Sequence, residues 1–131
     1  MPKLELNQIY LQLEHEIKHL SHSTIATYRS AIKEDAQHVI YELKSNIDDW
    51  VFLLNQRNIS CYDLENLLES KRWFIKLEKL ELMGVETEQM ENFKNDILRL
   101  IAKSILETYL NSLFQNPSIS TSKTLKKEYW F

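Results

Sequence analysis

Residues 80–88 read LELMGVETE, and Gly84 within this stretch is the only glycine among 131 residues. Glycine is the usual residue where the backbone needs a positive φ, as in tight turns, helix ends and phosphate-binding loops. The two prolines, Pro2 and Pro117, lie near the ends of the chain. Because so little interrupts a helix between positions 4 and 115, the sequence predicts an all-α protein in which Gly84 ends a helix.

The composition is that of one ordinary globular domain, with 44% apolar and 27% charged residues. A net charge of −3 argues against a surface that is basic throughout, as nucleic-acid binding would favour. Cys61 is the only cysteine, so the fold cannot depend on an internal disulfide. The first residues lack the features of a signal peptide, and no stretch approaches ~18 consecutive apolar residues. We therefore expect a cytoplasmic protein without a membrane partner.

The first half of the chain predicts two antiparallel helices joined by a short turn. Helix 1, about residues 4–20, carries apolar residues at alternating steps of four and three, namely Leu6, Tyr10, Leu13, Ile17 and Leu20. The hydroxyls of residues 21–24 are suited to capping helix 2, which covers about residues 24–56. The apolar stripe of helix 2 stays within a sector of about 100°. A kink at residues 45–46 is possible, and the continuity of the helix there is left open.

The second half predicts two more helices. Ser60 and Asp63 have the spacing of a capping box, and helix 3 is expected to run from this point to Met83. Helix 4 covers about residues 87–114. Four long amphipathic segments with short connections predict an antiparallel four-helix bundle over residues 1–116.

Residues 117–131 are rich in Ser, Thr and Lys and are expected to form a flexible tail. The tail combines basic and aromatic side chains: Lys123, Lys126, Lys127, Tyr129, Trp130 and Phe131. Such a segment folds back onto the bundle, binds a partner, or contacts phosphates and bases of a nucleic acid. Nucleic-acid binding through the tail is therefore a second alternative function.

Helix 1 contains one motif with catalytic potential, HEIKH at residues 15–19. In an H-E-x-x-H motif, two histidines one helical turn apart hold zinc, and the glutamate acts as a base. However, helical phase places His15 and His19 opposite the apolar stripe, where no cavity would enclose a metal. A zinc hydrolase with His15 and His19 as ligands is thus the first alternative function, and the favoured interpretation has no metal and no cofactor.

Other candidate chemistry is weaker. Cys61 begins helix 3, where the helix dipole can lower the pKa of a thiol, although a small half-buried apolar residue is the commoner role. One glycine cannot build a phosphate-binding loop. We predict no catalytic residue.

Helix 3 and the end of helix 4 carry more apolar side chains than one bundle face needs. The first face of helix 3 holds Leu64, Leu67, Leu68, Phe74, Ile75 and Leu82. The second faces hold Tyr62, Trp73, Leu77 and Leu80 in helix 3, and Leu106, Leu110 and Leu113 in helix 4. A helix that is apolar on all sides must be covered on all sides. The tail, a second copy of the chain or a different protein could cover these second faces. Alternatively, helix 3 lies at the centre of the bundle and the other helices enclose it.

Large apolar patches commonly mark interfaces, and two-fold dimers are the commonest assembly. The sequence therefore predicts a non-enzymatic helical protein–protein interaction module that forms a homodimer through helix 3 and late helix 4. Trp73 is the expected anchor, because large aromatic side chains dominate interface energetics.

Overall fold

The computed structural model describes the backbone of residues 4–114 and the side chains of residues 4–111. Regular structure within this range is helical throughout, which confirms the all-α prediction. The α-helices are α1 (Leu6–Ser23), α2 (Arg29–Asn55), α3 (Cys61–Ser70), α4 (Glu78–Leu82) and α5 (Thr87–Phe114). Short 3-10 helices occupy Ala26–Tyr28 and Arg72–Phe74. The predicted tail, residues 117–131, lies outside the described residues, and the domain limit at residue 116 stays a prediction.

Helices α1 and α2 run antiparallel, as the sequence predicts. At one end, the Leu4 amide donates to Asn55 Oδ1 over 2.8 Å, and Asn55 Nδ2 donates to the Leu4 carbonyl over 3.1 Å. Further along, the Tyr10 hydroxyl donates to Asp48 Oδ1 over 2.7 Å. These bonds between distant parts of the sequence set the register of the two helices.

The turn between α1 and α2 differs from the prediction because its hydroxyls complete α1 rather than cap α2. Ser23 Oγ and Thr24 Oγ1 donate to the Leu20 carbonyl over 2.9 and 2.7 Å. Helix α1 consequently extends to Ser23, and α2 begins at Arg29. Helix α2 then continues through residues 45–46 without a break, at the point where the sequence left its continuity open.

The predicted signals at the ends of the third segment are both confirmed. Ser60 Oγ accepts from the Asp63 amide, and Asp63 Oδ2 accepts from the Ser60 amide, so the capping box is complete. Gly84 has φ 76°, and its amide donates to the Glu81 carbonyl. The Val85 amide donates to the Leu80 carbonyl, which completes a Schellman motif.

Between these ends, the prediction of one continuous helix 3 is wrong. Helix α3 ends at Ser70, and α4 begins only at Glu78. The intervening chain bends through a 3-10 turn and becomes extended at Ile75 (φ −77°, ψ 124°). Because extended backbone points alternate side chains the same way, Ile75 and Leu77 both enter the core, where they are 6% and 1% exposed.

A buried carboxylate on α2 holds the broken segment in place. Asp35 is 3% exposed, and its two oxygens accept the amides of Lys79 and Leu80 over 3.0 and 2.9 Å. These amides belong to the first turn of α4, where a helix has no internal acceptors for its N–H groups. Asp35 therefore acts as a helix cap supplied by a different helix.

Helix α5 is the central element of the bundle, and it contacts α1, α2 and α3. The prediction allowed a central position for helix 3, but α5 occupies it. Tyr28, in the turn before α2, packs edge-on against Phe93 of α5 with 6.3 Å between ring centroids. Within residues 4–114, no helix combines the length and apolar content needed to cross a membrane.

Candidate interaction surface

The 3-10 turn after α3 presents two aromatic side chains to solvent. Trp73 is 89% exposed and Phe74 is 76% exposed. We call residues 71–75 the aromatic turn. The sequence predicts Phe74 to lie on the core face of helix 3; this is wrong, because the break after Ser70 rotates that position outward. Leu82, assigned to the same face, is 82% exposed at the end of α4 and was also predicted wrongly.

The aromatic turn is fixed at both ends. On one side, Arg72 reaches α5, where Nη2 lies 3.0 Å from Glu91 Oε2 and Nε donates to the same oxygen over 3.2 Å. Arg72 Nη1 also donates to Asn95 Oδ1. On the other side, Ile75 is buried in the core. Two large aromatic side chains are thus held in water on a backbone that is anchored on either side of them.

The Glu91 carboxylate joins two cations at this anchor. Lys94 Nζ donates to Oε1 over 3.3 Å, while Arg72 binds Oε2. The pKa of Glu91 is lowered, chiefly by the hydrogen bond from Lys94 and further by Arg72. Glu91 therefore stays ionised, and the Arg72 side chain, only 20% exposed, keeps its partner at neutral pH.

A cleft of about 470 Å³ adjoins the aromatic turn. One wall is Phe74 with its flanking residues, and the other is the face of α2 that carries His38, Glu42 and Asn46. Lys71 Nζ lies 5.8 Å from the centroid of the Phe74 ring. The lining includes charges of both signs, from Lys71, Lys76, Glu42 and Glu78. The aromatic turn and this cleft together form one continuous surface, which we call the turn–cleft surface.

The structure removes much of the interface predicted from the sequence. Leu77, Leu80, Leu106 and Leu110 are at most 1% exposed, so each is covered within the chain itself. Tyr62 and Trp73 are exposed, at 70% and 89%. Leu113 lies in α5, but its side chain falls outside the described residues. Late helix 4 therefore does not present Leu106 and Leu110 to a partner, because both side chains are buried within the chain.

The H-E-x-x-H residues do not converge. His15 and His19 are exposed, on the side of α1 that helical phase predicts. Glu16 instead faces inward, is 7% exposed, and binds Lys103 Nζ through Oε2 over 3.3 Å. Gln12 Nε2 donates to its other oxygen. Among residues 4–111, no group of three or more His, Cys, Asp or Glu side chains is arranged to hold a metal ion.

Glu16 and His19 do line a second cleft, of about 390 Å³, between α1 and α5. Asp96 and Arg99 of α5 lie on its opposite wall. Burial raises the pKa of the Asp96 carboxyl, and the charge of Arg99 opposes part of that rise. Since Lys103 already neutralises Glu16, the cleft holds a salt bridge rather than a free base at its floor.

Cys61 is half-buried at the start of α3. Burial raises the pKa of its thiol, in the direction opposite to the effect of a helix dipole. Cys61 therefore has the character of a small packing residue.

No protein-family model, curated protein or solved structure matches this chain.

The sequence singles out Trp73, whose role as an interface anchor stays a prediction, but it does not single out Phe74 and Arg72, which build the turn around it. A signal for the break was present in the sequence: Lys71 and Glu78 interrupt the helical stripe, and Ile75 and Leu77 are spaced by two rather than by three or four.

Proposed function

We propose that this chain is a non-enzymatic helical interaction module that forms a homodimer through its turn–cleft surface. The observation that carries the proposal is the exposure of Trp73, 89%, on a turn anchored by Arg72 and Ile75. An exposed tryptophan on a fixed backbone loses little conformational freedom on binding, and a large ring in a partner pocket contributes strongly to affinity.

Two features support a second copy as the partner. In a two-fold dimer the same patch meets itself, so each protrusion must find a recess on the same surface. The turn–cleft surface offers both, since Phe74 belongs to the protrusion and to the wall of the cleft. The cleft also carries two lysines and two glutamates, so a two-fold rotation can bring opposite charges together. Trp73 of one copy would enter the cleft of the other.

Sedimentation velocity of the full chain tests this function. The wild type is expected to sediment as a dimer that dissociates on dilution, and Trp73→Asp as a monomer. The matched control is Leu11→Asp on the outer face of α1, because Leu11 is also exposed, at 65%, and lies on another element. The control is expected to remain dimeric. A wild type that is monomeric at every accessible concentration contradicts the proposal.

A second variant separates this surface from the tail. Removal of residues 115–131 is expected to leave the dimer intact, because the turn–cleft surface lies wholly within the described residues. Loss of the dimer in the truncated chain, with Trp73→Asp still dimeric, would assign association to the tail instead. Nucleic-acid binding through the tail and a cytoplasmic location both stay predictions.

A further inference from the structure

A groove follows the seam between α1 and α2 and has a volume of about 700 Å³. We call it the basic groove. Its rim carries Lys18, Lys33 and Lys44, and its polar and aromatic lining includes Tyr10 and Tyr41. On α2, the groove residues lie roughly 170° around the helix from those lining the cleft of the turn–cleft surface. The two surfaces are therefore separate.

The basic groove has unneutralised positive charge in a chain whose net charge is −3. Three lysines line it with a single carboxylate, Glu14. Within residues 4–111, neither Lys18 nor Lys33 has an ion-pair partner, whereas Lys94 and Lys103 each bind a glutamate.

The third lysine rests on an aromatic ring. Lys44 Nζ lies 5.8 Å from the centroid of the Tyr10 ring, whose hydroxyl binds Asp48. The hydrogen bond between Tyr10 and Asp48 occupies one oxygen of this nearby carboxylate and holds the Tyr10 side chain at one end of the groove. A ligand that supplies carboxylates would therefore meet Lys18 and Lys33, which have no ion-pair partner within residues 4–111.

The dimensions of the basic groove match a helix. Lys33 and Lys44 are eleven residues apart on one side of α2, a distance of about 16 Å, or three helical turns. The floor is apolar, formed by Leu13, Ile17 and Ile40, and Tyr41 stands beside it with 76% of its surface exposed. An amphipathic helix can lay an apolar stripe in such a trough, with acidic residues at the edges of the stripe facing the lysines.

From this charge and shape, we infer that the basic groove binds an acidic amphipathic helix of a partner protein. A net charge of two positive units over an apolar floor favours this ligand over nucleic acid, whose phosphates would require more cations and no apolar floor. The groove is independent of the turn–cleft surface, so a dimer would carry two such sites.

The probe is a fluorescein-labelled 15-residue peptide with leucines at i, i+4, i+7 and i+11 and glutamates at the flanking positions. Its binding to the full chain is measured by fluorescence anisotropy beside an analogue in which every glutamate is glutamine. We expect saturable binding of the acidic peptide, weaker binding of the glutamine analogue, and a dissociation constant raised about tenfold by Lys18→Glu with Lys33→Glu.

The matched control is Lys79→Glu with Arg99→Glu, two exposed cations that line neither the basic groove nor the cleft of the turn–cleft surface. It changes the net charge equally and is expected to leave peptide affinity unchanged. Lys18→Gln with Lys33→Gln, which removes charge without reversing it, is expected to weaken binding less. Far-UV circular dichroism checks that each variant is folded. Trp73→Asp is expected to bind the peptide normally, so failure of the dimer and failure of this site are distinguishable.

Equal affinity for the acidic and glutamine peptides would overturn the inference. Equal affinity of the wild type and the Lys18/Lys33 charge reversal, or no saturable binding, would do the same. A labelled 15-nucleotide oligothymidylate that binds more tightly than the acidic peptide, and loses affinity in the same variant, would assign the groove to nucleic acid.

Discussion

Residues 61–82 and residues 87–114 both carry apolar side chains on two faces, and they accommodate the second face differently. Helix α5 stays continuous and contacts α1, α2 and α3, and Leu106 and Leu110 on its second face are buried. The other segment breaks after Ser70. Its break sends Leu77 and Leu80 inward and leaves Trp73 in water. A second apolar face thus becomes an exposed apolar surface only where the rest of the chain does not bury it.

The largest effect expected from this comparison concerns the enclosed face of α5. Leu106→Ala is expected to lower the free energy of unfolding by about 3 kcal/mol, because it leaves a cavity beside a side chain that is 1% exposed. Leu82→Ala makes the same chemical change at a side chain that is 82% exposed and is expected to cost less than about 0.5 kcal/mol. Urea denaturation of both variants measures the difference, and similar losses would mean that Leu106 is not enclosed.

The next effect concerns the attachment of the broken segment to α2. Asp35→Asn is expected to cost about 2 kcal/mol, because one of two backbone amides then meets an N–H₂ group instead of an acceptor. Hydrogen exchange at Lys79 and Leu80 is expected to accelerate, since Asp35 accepts both amides. Asp49→Asn, an exposed aspartate on the same helix, is the control. Unchanged exchange at both amides would show that α4 does not depend on this cap.

A smaller effect is expected at the anchor of the aromatic turn. Arg72→Met removes the contacts to Glu91 and Asn95 while keeping an unbranched apolar stem, and it is expected to cost about 1 kcal/mol. It keeps Trp73, but the turn is less fixed, so the dimer is expected to dissociate at several-fold higher concentration in sedimentation equilibrium. Arg99→Met, at an exposed arginine on α5, serves for comparison. A dimer as tight as wild type would show that the anchor does not position Trp73.

The smallest expected effect is a dependence of stability on pH that arises from Asp96 on α5. Because burial raises the pKa of Asp96 above its ordinary 3.8, the folded protein holds this proton more tightly than the unfolded chain. The resulting contribution to stability is present below pH 3.8 and is lost as pH rises through the folded pKa. From pH 3.5 to 6, the wild type should therefore lose stability relative to Asp96→Asn in urea denaturation. If the difference in the free energy of unfolding between the two proteins stays constant over this pH range, the Asp96 carboxyl is not buried.

The sequence predicted features that depend on a few neighbouring residues. The capping box of Ser60 and Asp63 and the left-handed turn at Gly84 formed as expected, because each needs only local backbone geometry. Phe74 was placed on the wrong side because helical phase was carried across a break. Asp35 was overlooked, although an acid next to Ala36 on the buried face of α2 is a signal that a partner donor must exist.

The sequence by itself determined that the chain is helical, where its strongest caps and stops lie, and which side of α1 carries the exposed histidines. These follow from side-chain periodicity and from one residue free to adopt a positive φ. Only the tertiary structure decided which helix is central, because burial depends on how many neighbours surround an element. It also decided that Trp73 stands on an anchored turn, since that requires Arg72 and Glu91, nineteen positions apart, to meet.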